Sequence, residues 1–299
     1  AGGASAHATG TNSVAIGGAT DGTLTNKEGT AAKAKGNNSI ALGTNSTATG
    51  QNSIAQGISS VAQQTADIAI GANAAANGTD TPAGSSTGQN AGTAISIGAN
   101  SVATGVATTS LGQAAKATQN GAVAIGSLAN ATNKAAAAFG RDSLASGESS
   151  TALGSGAKAQ GQYSFAGSVN ANASGTQSIA VGRNATAHSE NSISQGSDSN
   201  AYKESDIAIG TNSVANGSEG VCNKGEKTNP SLPGGGATGC DGSAVALGKE
   251  ANATGTNAVA VGVGAKASKK NTTALGSGAN ATIENAVALG SNSAATSAF

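Results

Sequence analysis

Large side chains are scarce in this 299-residue chain, which has no tryptophan, no methionine, two tyrosines and three phenylalanines. A conventional close-packed core depends on such residues, so we expect a thin structure built from Ala, Val, Ile and Leu. Proline occurs only three times, whereas glycine occurs 46 times. This composition is also typical of disordered low-complexity chains. Disorder, however, does not keep apolar residues in a fixed register, and this chain does.

Charge is equally scarce, with 15 basic and 15 acidic residues and no basic run. A nucleic-acid-binding protein needs a concentrated positive face, so we expect no nucleic-acid partner. No segment has the length and apolarity of a membrane span, and no signal-peptide pattern opens the chain. If the parent protein is secreted or anchored, we expect those parts to be missing from this chain.

Patterns that carry catalysis or bind metals are absent as well. The two histidines, His7 and His188, occupy outward-alternating repeat positions, where we expect solvated side chains. The repeat columns allow no Ser-His-Asp, Cys-His or paired-carboxylate arrangement. The Asp-bearing nonapeptide of calcium β-rolls is missing, and two cysteines without neighbouring histidines make a poor zinc site. The sequence thus predicts a protein that is not an enzyme, with no catalytic residue, metal or cofactor.

What the chain does contain is a fourteen-residue repeat, whose core is small–apolar–Ala–apolar–Gly. Examples of the core are 39–43, 122–126, 178–182 and 286–290. We number the last residue of the core as position 0. From Gly98 to Gly210 this residue recurs every fourteen residues, and it is Gly at every step except Ser168. Such a strict period predicts stacked identical units rather than one globular core.

Each repeat contains two segments that alternate as strands do. In the first, position −1 is Ile, Leu, Val or Phe in fourteen of seventeen cores, and position −2 is Ala or Ser in all of them. In the second, position +5 is Ala in sixteen of seventeen repeats, and position +4 varies. Gly at position 0 and often at +7 is expected to supply the backbone freedom for two turns.

Two strands and two turns per fourteen residues predict an all-β, parallel solenoid in which each strand pairs with its equivalent in the next coil. Both faces of the first strand are apolar, and the coil can bury only one of them. The second face therefore predicts self-association. Whether the Ala column or the Val/Ile column meets the partner stays open at this stage.

The segment Asn12-Ser13-Val14-Ala15-Ile16-Gly17 resembles the head repeat of trimeric autotransporter adhesins of the YadA type. Close variants of it occur at 38–43 and 257–262. The resemblance implies a left-handed parallel β-roll in a homotrimer, displayed on the outer membrane of a Gram-negative bacterium. The resemblance implies that residues 1–299 form a single head domain without the family's stalk, and that membrane attachment occurs only through a C-terminal anchor missing from this chain.

The resemblance also implies a function, namely attachment to an extracellular-matrix protein, a cell surface or an abiotic surface by multivalent contact. In this family the repeat is associated with collagen binding, so Asn12, Ser13, Val14, Ala15, Ile16 and Gly17 are the first candidate ligand-binding residues. One alternative is a structural spacer within a surface fibre that has no ligand of its own. Another is an ice-binding solenoid, which Thr at position +6 favours and Ala at +5 opposes.

The repeat is interrupted near 18–30, 79–92 and 218–242, where we predict insertions at coil turns. Insertions of this kind are often loop decoration, and others contact ligands or brace an oligomer. Both cysteines, Cys222 and Cys240, lie in the third insertion. We predict a disulfide between them, with two free thiols as the alternative.

Two glutamines, Gln56 and Gln195, replace the apolar residue at position −1. If this column faces a threefold axis, three copies of each glutamine could hydrogen-bond in a ring, which would form a polar layer on the axis. Without such partners a buried amide costs about 1–3 kcal/mol. A solvated glutamine at the edge of a turn is the alternative.

Overall fold

The computed structural model describes residues 1–18, 30–78, 93–217 and 243–297. Residues Ala1–Gly156 and Ala157–Phe299 form two compact units. The strands of the first unit are β1 His7–Ala8, β2 Val14–Ile16, β3 Lys33–Ala34, β4 Ile40–Leu42, β5 Thr47–Ala48, β6 Ile54–Gln56, β7 Val61–Ala62, β8 Ile68–Ile70, β9 Ala75–Asn77, β10 Ala94–Ile97, β11 Val102–Thr104, β12 Thr108–Leu111, β13 Lys116–Ala117, β14 Val123–Ile125, β15 Asn130–Ala131, β16 Ala137–Phe139, β17 Leu144–Ala145 and β18 Thr151–Leu153.

The second unit continues the same alternation of short strands. Its strands are β19 Lys158–Ala159, β20 Phe165–Gly167, β21 Asn172–Ala173, β22 Ile179–Val181, β23 Thr186–Ala187, β24 Ile193–Gln195, β25 Asn200–Ala201, β26 Ile207–Ile209, β27 Val214–Ala215, β28 Val245–Leu247, β29 Asn252–Ala253, β30 Val259–Val261, β31 Lys266–Ala267, β32 Thr273–Leu275, β33 Asn280–Ala281, β34 Val287–Leu289 and β35 Ala294–Ala295. The described ranges contain no helix, and hence none that could cross a membrane.

Within each unit the even-numbered strands form one parallel sheet, the first sheet, and the odd-numbered strands form another, the second sheet. The register follows the repeat, so that Ala124 of β14 lies opposite Ala138 of β16. The pairing steps over the interruptions of the repeat, as where Ile68 of β8 lies opposite Ile95 of β10. The predicted all-β parallel solenoid is thereby confirmed.

The core between the two sheets consists almost entirely of alanine. Positions −2 and +5 point inward, as shown by Ala124 and Ala131, neither of which is exposed to solvent. Serines that replace alanine in the core pair with one another or with the backbone, for example Ser194 Oγ and Ser199 Oγ at 2.6 Å. Because only small side chains fit between the sheets, the larger apolar residues at −3 and −1 must point outward.

Local chemistry explains the two turns of each coil. Residues at positions −5 and +2 adopt left-handed backbone angles, such as Asn52 with φ 57° and Asn45 with φ 57°, which asparagine tolerates better than most residues. The serine that follows each of them donates to the carbonyl three residues earlier, for example Ser53 Oγ to Gly50 O at 2.7 Å. The Asn-Ser pair of the motif is therefore a turn signal.

The two glycine columns serve different purposes. At position 0 the glycines have φ between 112° and 145°, a region that glycine adopts without a steric penalty. This is the role that we expected for them. At position +7 the expectation was wrong for Gly50, Gly161 and Gly175, whose φ is not positive. A Cβ on these residues would lie 1.8–2.0 Å from a carbonyl oxygen of the next coil. Close backbone approach therefore favours glycine there.

Ser168 is the exception at position 0, and it has φ 119°. A side chain in this region costs about 1–3 kcal/mol, which exceeds the loss of about 0.5–1 kcal/mol from the greater freedom of glycine in the unfolded chain. We expect Ser168→Gly to raise the free energy of unfolding by about 1 kcal/mol, measured by chemical denaturation. Ser155→Gly, at a position without positive φ, should lower it. A loss of stability in Ser168→Gly would contradict the assignment of strain.

The predicted insertions lie almost wholly outside the described residues, which include only their flanking Gly18 and Thr30. The same is true of Cys222 and Cys240, so the disulfide stays a prediction.

Candidate binding surface

The six residues Asn12–Gly17 form one ordinary coil of the solenoid rather than a distinct pocket. Ala15 is buried in the core, whereas Val14 and Ile16 are 42% and 53% exposed. Asn12 turns the chain with φ 57°, and Ser13 Oγ donates to Gly10 O at 2.6 Å. Only three side chains of this segment are therefore available to a partner.

The side-chain amide of Asn12 belongs to a ladder along one corner of the solenoid. Its Nδ2 donates to Asn38 Oδ1 at 3.3 Å, and Asn38 Nδ2 donates to Asn52 Oδ1 at 3.2 Å. In the second unit Asn257, Asn271 and Asn285 repeat this arrangement at 3.2 and 3.0 Å. These exposed asparagines are already paired with their neighbours, which indicates a structural role for the ladder.

The outer face of the first sheet is apolar and carries no charge in the described residues. It is formed by positions −3 and −1, and several of its large side chains are well exposed: Val14, Ile16, Leu111, Leu153, Ile179, Leu275, Val287 and Leu289. Monomeric proteins rarely leave a contiguous surface of this kind open to water. The sequence left open whether the Ala column or the Val/Ile column of the first strand meets a partner. In the single chain the Ala column is buried, so only the Val/Ile/Leu columns can reach a partner.

Both predicted glutamines lie on this apolar face. Gln56 lies between Leu42 and Ile70 in the first unit, and its side chain is exposed. Gln195 is also exposed and lies between Val181 and Ile209 in the second unit. Each glutamine therefore interrupts an outward apolar column with a polar group.

The outer face of the second sheet is formed by positions +4 and +6 and is mostly polar. Its large aliphatic side chains in the described strands are Val61, Val102, Leu144 and Val214. In the first unit an open groove with a volume of about 230 Å³ is lined by His7, Thr9, Lys33 and Lys35. In the second unit the rings of His188 and Tyr202 stack, with centroids 5.3 Å apart and planes 12° from parallel. The described residues contain no group of His, Cys, Asp and Glu side chains that could hold a metal ion.

Two buried aspartates, which the sequence analysis did not identify, support the solenoid where the repeat is interrupted. Asp67 Oδ2 accepts from the N–H groups of Gln64 at 2.9 Å and Gly78 at 3.2 Å. Its Oδ1 accepts from Ala94 N at 2.8 Å. Gly78 is the last described residue before the second gap, and Ala94 lies just after it. One carboxylate therefore links both ends of the interruption.

Asp206 repeats this arrangement at the third interruption. Its Oδ2 accepts from Lys203 N and Gly217 N at 2.9 and 3.2 Å, and its Oδ1 accepts from Ala244 N at 2.8 Å. Burial raises the pKa of the Asp206 carboxyl above its ordinary value, and the backbone N–H donors oppose that shift.

A sequence signal for the aspartates did exist. Position −4 is Ser, Thr or Ala in every other core and Asp only at 67 and 206, each in the coil before an interruption at the following turn.

The similarity of this chain to known proteins lies in its repeat. The sequence model of the YadA head domain repeat matches more than two thirds of the chain. The matched ranges are 3–20, 29–46, 48–74, 103–129, 131–157, 145–166, 169–185, 173–199, 187–213, 201–221, 242–265 and 267–293. No curated protein matches the chain.

Among solved structures, the crystal structure of the collagen-binding domain of the Yersinia adhesin YadA is 28% identical to this chain. The match covers 62% of this chain and 80% of that domain, with a TM-score of 0.34.

Proposed function

Because the chain belongs to the family of YadA head domains, we propose that it is the head of a homotrimeric adhesin. Heads of this family are displayed on the surface of Gram-negative bacteria, and the family is one of adhesins rather than enzymes. The proposed head attaches the cell to extracellular-matrix proteins, host cells or abiotic surfaces. Its parent protein would be held in the outer membrane by an anchor outside this chain.

The observation that carries the proposal is the uncharged apolar face of the first sheet. Two outward columns, mostly of Val, Ile and Leu, extend along the described coils of each unit. Their polar interruptions are Gln56, Thr109, Thr151, Gln195 and Thr273. Burying such a face gains about 25 cal/mol for each Å² removed from water. Three chains packed through this face would leave the second sheets outward, where they can contact a ligand.

The proposed mechanism is repeated weak contact. Most coils present Thr, Asn, Ser or Lys side chains on the outer face of the second sheet. When one contact forms, its neighbours act at a high effective concentration, so that weak interactions add up to stable attachment. The segment Asn12–Gly17 keeps its proposed role in collagen binding through Asn12 at the corner of the coil, because packing of the three chains would cover Val14 and Ile16.

A polar layer of glutamines on the threefold axis is also proposed. If the apolar face surrounds a threefold axis, Gln56 and Gln195 of the three chains would face one another and could form amide rings. In each ring the glutamine amides would hydrogen-bond to one another and so replace the water molecules that they lose on assembly.

Assembly through the apolar face predicts the effect of a charge placed on it. Purified wild-type chain should have a mass near three times 27.8 kDa by light scattering after size exclusion. Ile125→Lys should dissociate the assembly, because a buried unpaired charge is strongly unfavourable. The matched control is Asn130→Lys in the same coil, on the polar face beside Lys116, and it should keep the wild-type mass.

Circular dichroism would show that both variants retain β structure. A wild-type monomer, or a folded Ile125→Lys variant with the wild-type mass, would contradict assembly through this face.

Attachment itself is tested with the intact surface protein. Cells that display it should adhere to collagen, fibronectin, laminin or plastic, and replacing this head with an inert segment of equal length should abolish adhesion. If adhesion persists with the inert segment, the head is a spacer rather than an adhesin.

A further inference from the structure

Charges are not spread evenly around the coil. In the described residues of each unit, the outward columns of the second sheet carry charge only as lysine: Lys33, Lys35, Lys116, Lys158 and Lys266. The acidic residues of the same ranges that are not buried lie instead at the turns: Asp142, Glu148, Glu190, Asp198, Glu204, Glu250 and Glu284. A chain with zero formal net charge therefore presents one face with a single sign of charge.

The densest part of this positive face is the groove at the first two coils. Lys33 lies directly opposite His7 in the paired strands β1 and β3. Lys35 follows two residues later on the same side, next to Thr9, whose N–H donates to Ala34 O at 3.0 Å. Paired strands are about 4.8 Å apart and alternate residues about 6.6 Å apart. The Cα atoms of His7, Lys33 and Lys35 thus lie within about 10 Å of one another.

Both lysines of the groove are available to a ligand. Neither Lys33 nor Lys35 makes an ion pair with another described residue, whereas Arg183 and Lys249 at the turns do. Lys35 and Thr9 are exposed, and Lys33 is half-buried. Paired strands fix the backbone of all four residues, so only their side chains have to become ordered when a ligand binds.

The chemistry of the groove selects its ligand. Lysine provides a compact point charge that suits the oxygen atoms of a sulfate group, and the Thr9 hydroxyl can donate to or accept from a sugar hydroxyl. The groove has a volume of about 230 Å³. That is room for a sulfate group and the edge of the sugar ring that carries it. None of the four lining residues is Phe, Tyr or Trp, the residues on which single-stranded nucleic acids stack.

We propose that the groove of His7, Thr9, Lys33 and Lys35 binds a sulfated polysaccharide, with Lys33 and Lys35 contacting the sulfate groups. This inference deepens the proposed adhesin function and rests on it for the exposure of the groove at the cell surface. A polymer with sulfate on successive sugars could engage several lysines of the face at once, which would strengthen each weak contact.

The test measures binding of the purified wild-type chain to immobilised heparin at low and at physiological salt. The double variant Lys33→Ala/Lys35→Ala should bind about tenfold more weakly, and wild-type binding should weaken as salt rises. The matched control is Lys134→Ala/Arg141→Ala, which removes the same charge from exposed turn positions of the same unit and should bind as wild type does. Melting curves confirm that all three proteins are folded.

Three competitors define the ligand class, namely dextran sulfate, neutral dextran and single-stranded DNA. Competition by dextran sulfate but not by neutral dextran supports the proposal. Three results would overturn it: unchanged heparin binding in Lys33→Ala/Lys35→Ala, an equal loss in the turn variant, or DNA that competes as well as dextran sulfate.

The experiment also separates this inference from the proposed function. If the wild-type chain does not bind heparin, yet the displayed head still mediates adhesion to matrix proteins, the inference is wrong and the adhesin function stands. If it binds heparin through Lys33 and Lys35 but replacing the head leaves adhesion unchanged, the groove is a binding site and the adhesin function fails.

Discussion

Replacing Gly126 with alanine is expected to lower the free energy of unfolding by about 3–5 kcal/mol. Gly126 occupies position 0 with φ 132°, and a Cβ there would lie 2.6 Å from the carbonyl carbon and oxygen of Gly140 in the next coil. The new methyl group therefore meets both an unfavourable backbone conformation and a backbone that has no room to move. Denaturant unfolding followed by circular dichroism would measure the loss.

Gly121→Ala is the matched control, five residues earlier in the same coil. Gly121 has φ 70°, and the nearest atoms to a Cβ there lie at 3.7 Å or more. The equivalent residue of the next coil, Ala135, is an alanine with φ 51°. We expect a loss of about 1 kcal/mol or less, from the left-handed conformation alone. Equal effects of the two substitutions would show that the close approach of coils at Gly126 is unimportant.

Removing the Asp206 carboxylate is expected to cost about 3 kcal/mol or more, because three backbone N–H groups would lose their acceptor. Two of these donors, Gly217 and Ala244, flank the third interruption. Asp206→Ala and Asp206→Asn should both be strongly destabilising, since a carboxamide presents an NH₂ group to one of the donors. Asp67→Ala should behave alike, and the double variant should lose the sum of the two effects.

Asp142→Asn provides the control for these substitutions. Asp142 is exposed at a turn with φ 56°, a conformation that asparagine adopts readily, so the change should be within about 0.5 kcal/mol. Urea denaturation of all variants at one pH gives the comparison. Wild-type stability in Asp206→Asn would mean that other contacts hold the ends of the interruption.

Most of the fold could be predicted from the sequence because the same small–apolar–Ala–apolar–Gly pattern recurs through the chain. Alternation at −3, −2 and −1 predicts a strand, and the fixed spacing predicts parallel pairing in register, as observed for Ala124 and Ala138. The pattern could not show which apolar column faces inward. That choice follows from size, since the narrow space between the sheets admits Ala and Ser but not Val or Ile.

The candidate binding surface was less predictable. Asn12–Gly17 were candidate residues by resemblance, but they form a coil like any other. The outward position of His7 was predictable from the repeat, whereas the groove was not. The groove depends on strand pairing across an interruption of the repeat, which sets Lys33 opposite His7. The buried aspartates were missed because a single Asp in a serine column resembles ordinary polar variation until its backbone partners are known.

Because one aspartate at position −4 bonds to both ends of a loop, the loop and its aspartate could be transferred together to another coil. A loop that leaves at the second turn of a coil removes the backbone partners of two N–H groups, and an Asp at position −4 of the preceding coil replaces them. At both interruptions of this kind the loop is accompanied by one Asp at −4, and the alanine core is unchanged. Other coils that carry Ser at −4, such as the coil of Ser150 or Ser178, could accept a grafted loop by the same exchange. The head can thus acquire new surface features while its scaffold stays constant.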